Sequence, residues 1–261
     1  MKRNIKKAIS LVLCLILITV MCGSVFAADT FDYDVAYAWA IEAGFPQEFI
    51  DVIDADLLER IYNDNKEVEE LDIEANQEFL SLDDDPSGRS IPSSDLSAWV
   101  VAGKVSSNGI LTHVNVYGYG QWLTGAIIRR SDAMLFKWSS NFTFKANSFS
   151  GTVKDGDNGS VYATYNNPSQ LAAVAGLGWK FSIVGIVGAI GIKPHSSCAF
   201  TLLPVNGSMP STGNINETVS MDYAHESFSF NSISFSSSGS VSIGMSGYSD
   251  SVAVATNFTH G

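Results

Sequence analysis

From Ser97 to Asn167 the chain carries no proline, and its apolar residues recur with a period of two. No other feature constrains the fold as strongly. Alternation puts successive side chains on opposite faces of an extended backbone, and without proline every amide can join a ladder. The runs AWVVAGKV, ILTHVNVYGYGQW, AMLFKW, NFTFKA and SVYATY are rich in aromatic and β-branched residues, and SSNG, RRSD and KDGDNG between them carry turn chemistry. CAFTLLPV, ETVSMDYA, ESFSF, SISF, SVSIGM and SVAVATNF continue the pattern toward the C-terminus. The expectation is an α+β chain: a small acidic helical N-terminal segment, then a mostly antiparallel β domain of at least ten short strands. That domain is read as a β-sandwich or a partly closed barrel.

Within Ser227 to Ser251, twelve serines alternate with Phe228, Phe230, Ile233, Phe235, Val241, Ile243 and Met245. The parity slips once, at Asn231, which predicts a bulge or turn there. Ser238-Gly239 suits a hairpin tip.

Ahead of the β pattern the chain changes character. Residues 1–27 place Lys2, Arg3, Lys6 and Lys7 before an apolar run and a small-residue site ending at Ala27, the layout of a secretory signal. The expected localisation is therefore secreted or extracellular, from a bacterium of the Gram-positive type. Met21 before Cys22 argues against a lipoprotein signal. Removal of the signal takes Cys14 and Cys22 with it and leaves Cys198 alone, so no intramolecular disulfide can form and burial must hold the fold together. Cys198 itself reads as a small buried hydrophobe.

Residues 28–82 form the acidic segment and residues 83–96 a linker, with the β-rich domain over 97–261. From Ala28 to Ser90 there are nineteen acidic and three basic residues, whereas Ile91 to Gly261 balances eight against eight. Asp34 is expected to cap one helix, with Gly44 ending it and Pro46 opening a second. Asp54 is expected to cap a third, in which Leu57, Leu58, Ile61 and Tyr62 share a face. A weaker helical stripe runs through KEVEELDIEANQEFLSL, and DDDPSGRSIPSSD reads as the linker. A mature chain this acidic, with no basic cluster beyond Arg129-Arg130, disfavours nucleic acid as a partner.

Candidate sites are few. Along HVNVYGYGQW, strand geometry puts His113, Asn115, Tyr117 and Tyr119 on one face, with Trp122 extending the apolar back. Two tyrosines beside hydrogen-bonding groups make a platform for a sugar ring or another planar ligand. The stretch GWKFSIVGIVGAIGIKP is the most apolar run outside the signal, but Lys180 and Lys193 bracket only twelve uncharged residues, too few for a spanning helix of about 20. It reads as a strand buried on both faces, with Trp179, Phe181, Ile183 and Val187 as the residues that would meet a membrane or partner if it left the core. DGDNG, from Asp155, lacks the far acid of a calcium loop and reads as a hairpin turn. No serine stands between glycines at the nucleophile-elbow spacing, and no two histidines are four apart, so neither a catalytic motif, a metal site nor a cofactor is assigned.

The function these features support is an exported, non-catalytic binding or structural module for an unidentified envelope or extracellular ligand. A secreted membrane-active protein, pore-forming or antibacterial, is the alternative, with the acidic segment as its removable mask. A secreted hydrolase built from scattered residues comes third.

Overall fold

The computed structural model describes residues 31–77, 79–80, 89–124, 131–156, 159–182, 193–207, 209–226, 229–235, 241–246 and 249–260. Three short helices lead: α1 (Tyr33–Glu42), α2 (Gln47–Ile50) and α3 (Ala55–Asn65). The α1 helix begins at Tyr33, so Asp34 lies in its first turn and is not its cap. Gly44, at φ 97°, supplies the left-handed residue after it, and Phe45 N–H then reaches back to the Ala40 carbonyl at 3.0 Å. Pro46 stands at the N-cap of α2.

The period-two segments form strands β1 (Glu70–Asn76), β2 (Phe79–Leu80), β3 (Arg89–Ser90), β4 (Leu96–Ser107), β5 (Ile110–Trp122), β6 (Ser131–Lys137), β7 (Phe142–Phe144) and β8 (Ser150–Asp155). They continue as β9 (Val161–Tyr165), β10 (Gln170–Ala172), β11 (Gly176–Ser182), β12 (Pro194–Pro204), β13 (Met209–Pro210), β14 (Ile215–Glu226), β15 (Ser229–Phe235), β16 (Val241–Ser246) and β17 (Ser249–His260). One sheet runs β1-β4-β5-β12-β8-β9, with β7 on β12 and β13 on β5; the second runs β10-β11-β6-β14-β17-β2. Among the described strands only β3, alongside β17, pairs in parallel. The expected mostly antiparallel β domain behind a short helical segment is what forms, and two sheets packed face to face make it a sandwich.

The core lies between the sheets. From the first come Val100, Val116, Phe200 and Leu202, and from the second Phe136, Trp179, Met221 and Val254, all almost fully buried. Cys198 is buried among them, as its neighbours suggested, and burial pushes its thiol far up from the ordinary value. Both faces of β4 and most of β5 are buried because the first sheet is the middle of three layers: its inner face meets the second sheet and its outer face meets the helices. That dictates glycine at the close approaches. A Cβ on Gly118 would sit 2.3 Å from Phe136 Cζ, and one on Gly151 would sit 2.7 Å from Trp179 Cζ2. Gly118→Ala is expected to lower stability by about 1–3 kcal/mol through overpacking, seen as a lower urea midpoint with an unchanged slope. Gly103→Ala, where the nearest atom stands at an ordinary 3.4 Å, is the matched control and should lose much less.

One element differs from its sequence reading. The stretch from Lys66 to Leu82 was expected to be helical, yet Glu70–Asn76 is a strand, paired antiparallel with β4 from Glu70 opposite Ser106 to Asn76 opposite Val100. Leu71, Ile73 and Ala75 alternate with Glu70, Asp72 and Glu74, which stay exposed. The edge of the first sheet offers hydrogen bonds and an apolar seat that outweigh a weak helical stripe, and the Leu71 and Ile73 side chains lie over Gly103. Ile91, inside the stretch read as linker, is also buried, and its N–H bonds the Ser251 carbonyl at 3.2 Å.

In the serine-rich segment β15 and β16 pair as a separate hairpin, and the register shifts between Phe230 and Ser232, which places the bulge at Asn231. The expected tip at Ser238-Gly239 lies outside the described residues.

Candidate functional site

One acid ties α3 to the first sheet through charge. Asp54 caps α3 by accepting from the Asp56 and Leu57 amides at 2.9 and 3.0 Å. The same carboxylate takes the Lys154 ammonium of β8 at 2.9 Å and stands 3.3 Å from Nε2 of His195 on β12, while Ser197 Oγ donates to it at 3.4 Å. Lys154 also reaches Asp56 at 2.7 Å. Burial pushes the Asp54 carboxyl up, but the bonds from His195 and Lys154 outweigh it and hold the group well below the usual carboxylate range. An N-cap has become the anchor that ties α3 to the sheet.

The face predicted from HVNVYGYGQW exists, with a different neighbour. Val114, Val116 and Trp122 point into the core, and His113, Asn115, Tyr117 and Tyr119 point outward beneath the helices. Tyr117 and Tyr119 are fully buried there. Asn65 Nδ2 donates to the Tyr117 hydroxyl at 2.7 Å, Tyr119 donates to the Val52 carbonyl at 2.6 Å, and the Phe45 ring meets Tyr117 edge-on at 6.3 Å. A stacking platform for a ligand is therefore corrected to a seat for α1, α2 and α3. Two tyrosines with satisfied hydroxyls suit either role, because each needs an apolar ring and a placed hydrogen bond.

At the margin of this seat the same face opens into a polar cleft of about 220 Å³. Arg60 and Asp64 of α3 form one wall, His113 and Asn115 of β5 with Thr201 of β12 the floor, and Lys145, Asn147 and Ser148 of the β7–β8 loop the other wall. Arg60 Nε pairs with Asp64 at 2.7 Å, and its Nη2 approaches the Ser148 carbonyl at 3.5 Å. Asn115 donates to Asn65 Oδ1 and accepts from Thr201 Oγ1, both at 3.0 Å, so the floor is rigid. Thr112 Oγ1 lies 3.0 Å from His113 Nδ1. Burial raises the Asp64 carboxyl against the pull of Arg60 and Lys145, and burial together with the Lys145 charge lowers the His113 imidazole. At neutral pH the cleft thus holds two cations, one paired carboxylate and a neutral ring.

Of the residues singled out in sequence, His113 and Asn115 reach this cleft, whereas Tyr117, Tyr119 and Trp122 do not line it. Arg60, Asp64, Lys145 and Thr201 went unnoticed. The available signal was Arg60 itself, one of three cations among nineteen acids. Lys145 follows a strand by spacing alone and nothing marks it.

Trp179 and Phe181 take the buried position read for them, not that of membrane or partner contacts. Both sit in the inter-sheet core, with Trp179 against Phe149, Tyr165 and Phe181 at ring distances of 5.8, 5.5 and 4.4 Å. Ile183 and Val187 lie outside the described residues, as does the rest of the glycine-rich run from 183 to 192. Among the described residues no helix is long and apolar enough to cross a membrane.

No protein-family model matches the chain, and no curated relative matches it. Among solved structures it is similar to the pilus backbone RrgB of Streptococcus pneumoniae at 8% identity and a TM-score of 0.31, covering 59% of this chain and 31% of that one. It is similar to the collagen-binding domain of a Staphylococcus aureus adhesin at 7% identity and a TM-score of 0.32, covering 58% and 98%. The collagen-binding domain of the Erysipelothrix rhusiopathiae surface protein RspB gives 8% identity and a TM-score of 0.31, covering 70% and 59%. The chain spans less than a third of the pneumococcal pilin it matches.

Proposed function

We propose that this protein is an exported, non-catalytic binding module acting at the cell envelope or outside the cell, with its ligand seated in the cleft between α3 and the first sheet. The observation that carries this reading is the convergence of Arg60, His113, Asn115, Lys145 and Thr201, from four separate parts of the chain, around one polar opening. A hydrogen-bonded floor with two cations at its rim suits recognition, where polar groups fix a ligand's orientation. The signal-like residues 1–27 support a site of action outside the cytoplasm. The helices are a docked cover that turns a flat aromatic face into a cleft.

The mature chain starting at Ala28 is expected to bind purified cell-wall material or members of a glycan panel. His113→Ala combined with Lys145→Ala should weaken that binding by about tenfold or more, since each removes one polar contact without disturbing the buried seat. Binding unchanged in the double variant would reject the cleft as the site. Leakage of dye from liposomes on adding the same chain would favour the membrane-active reading instead.

A further inference from the structure

We infer that the cleft takes a compact anion, the carboxylate or phosphate group of a small polyhydroxylated ligand. This rests on the reading of the cleft as the binding site and names the chemistry that site selects. The charge balance comes first. Lys145 is exposed at the rim, where its charge acts on Asp64 and His113 without a short ion pair among the described residues. Arg60 spends only Nε on Asp64, and the long 3.5 Å approach of Nη2 to a carbonyl leaves donors facing the opening. One carboxylate, already paired, does not neutralise two cations, and His113 adds a further positive charge when it protonates.

Size limits what the cleft itself encloses. Its volume of about 220 Å³ lies below the roughly 300 Å³ at which pockets for drug-sized ligands begin. One charged headgroup with its neighbouring hydroxyls fits inside, and any remainder of a longer ligand would lie outside the opening. The neutral donors and acceptors of the wall, Asn147 and Ser148, suit hydroxyls, while Arg60 and Lys145 suit the charge.

The cleft also makes the binding depend on pH. His113 is faced by Lys145 from the loop and by Arg60 and Asp64 from α3, with Thr112 on its own strand. As pH falls through the imidazole's lowered value, the ring gains charge, and Asp64, raised by burial, loses its own charge in the acidic range; both changes favour an anion. Reciprocally, a bound anion must raise the His113 value.

The test is a pH titration of the His113 ring resonances by NMR on the mature chain, alone and with millimolar inorganic phosphate or, separately, sodium glucuronate. The expected result is an upward shift of the His113 midpoint with at least one of the two, abolished in Lys145→Ala and weakened about tenfold in affinity at higher salt. The arm that shifts the ring identifies phosphate or carboxylate as the preferred source. An unmoved midpoint with both anions, or a shift that persists unchanged in Lys145→Ala, overturns the inference. If neither anion binds while cell-wall binding is still lost in the cleft variants, the binding-module reading stands and the anion assignment falls. If the anion shifts His113 while cell-wall binding ignores the cleft variants, the assignment stands and that reading falls.

Discussion

Asp132→Ala is expected to cost about 3–5 kcal/mol, enough to bring a domain of ordinary stability near unfolding. Asp132 is fully buried on β6 and accepts from three side chains: Trp122 Nε1 at 3.0 Å, the Tyr223 hydroxyl, and His225 Nδ1 at 2.6 Å. Trp122 belongs to the first sheet, and Tyr223 and His225 belong to β14 of the second, so one carboxylate fastens the two layers of the sandwich. Burial and the Asp132 charge push the Tyr223 phenol well up from its ordinary value, which keeps it protonated and donating. Alanine removes the Asp132 acceptor from all of these buried donors, and a buried donor that loses its acceptor carries a desolvation penalty of about 1–3 kcal/mol. Asp132→Asn keeps one acceptor oxygen and should lose less. Urea unfolding of both variants measures the difference, and the asparagine variant supplies the number if the alanine variant does not fold. A loss below about 1 kcal/mol for both would show that the clasp contributes nothing the packing does not already supply.

The second large effect concerns Asp54. Asp54→Ala removes the cap of α3 and leaves the Lys154 ammonium, whose side chain is only 7% exposed, with the largely solvated Asp56 as its remaining partner. The expected loss is about 3 kcal/mol, combining a lost N-cap with a buried cation deprived of its nearer anion. Asp54→Asn separates the two terms, because asparagine caps about as well as aspartate and carries no charge. The loss should be local. In hydrogen exchange, amides of α3 are expected to exchange faster in Asp54→Ala while the long β14–β17 ladder stays protected. Equal acceleration in both would mean that the helices and the sandwich open together. The pH dependence has a defined sign. Asp54 is depressed in the folded state, so its contribution is fully present above the unfolded value of about 3.9 and is lost as pH falls through the folded value below it. The helices should therefore stay seated under mildly acidic conditions, where the His113 titration of the cleft takes place.

Much of this organisation was legible from local pattern. Alternation is a property of neighbouring residues, and it located the strands, set Trp122 on the apolar back of β5, and marked the bulge at Asn231. Asp54 was readable as a cap for the same reason: its partners, the amides of Asp56 and Leu57, lie within three residues. Apart from the cap expected of Asp34, what local pattern misread or left open was a question about distant partners. Glu70–Asn76 carries both a weak helical stripe and an alternation, and the choice fell to β4, some thirty residues on, whose open edge pairs with it. Trp179 and Phe181 belong to a run apolar enough to suggest a membrane, and the space beside Gly151 is what receives Trp179.

By itself, then, the sequence determined the class of the fold, because turn residues and a period of two act over a few residues at a time. It also determined that β5 has an apolar side and a polar, aromatic side. Only the tertiary structure decided what lies against the second side. Asn65 and Tyr117 are 52 positions apart, and Lys154 and Asp54 are 100 apart, yet these bonds cover the tyrosines and leave His113 and Asn115 at an opening. A tyrosine that seats a helix and one that stacks on a ligand present the same ring and the same hydroxyl. The difference is which surface reaches them first, and long-range packing sets that.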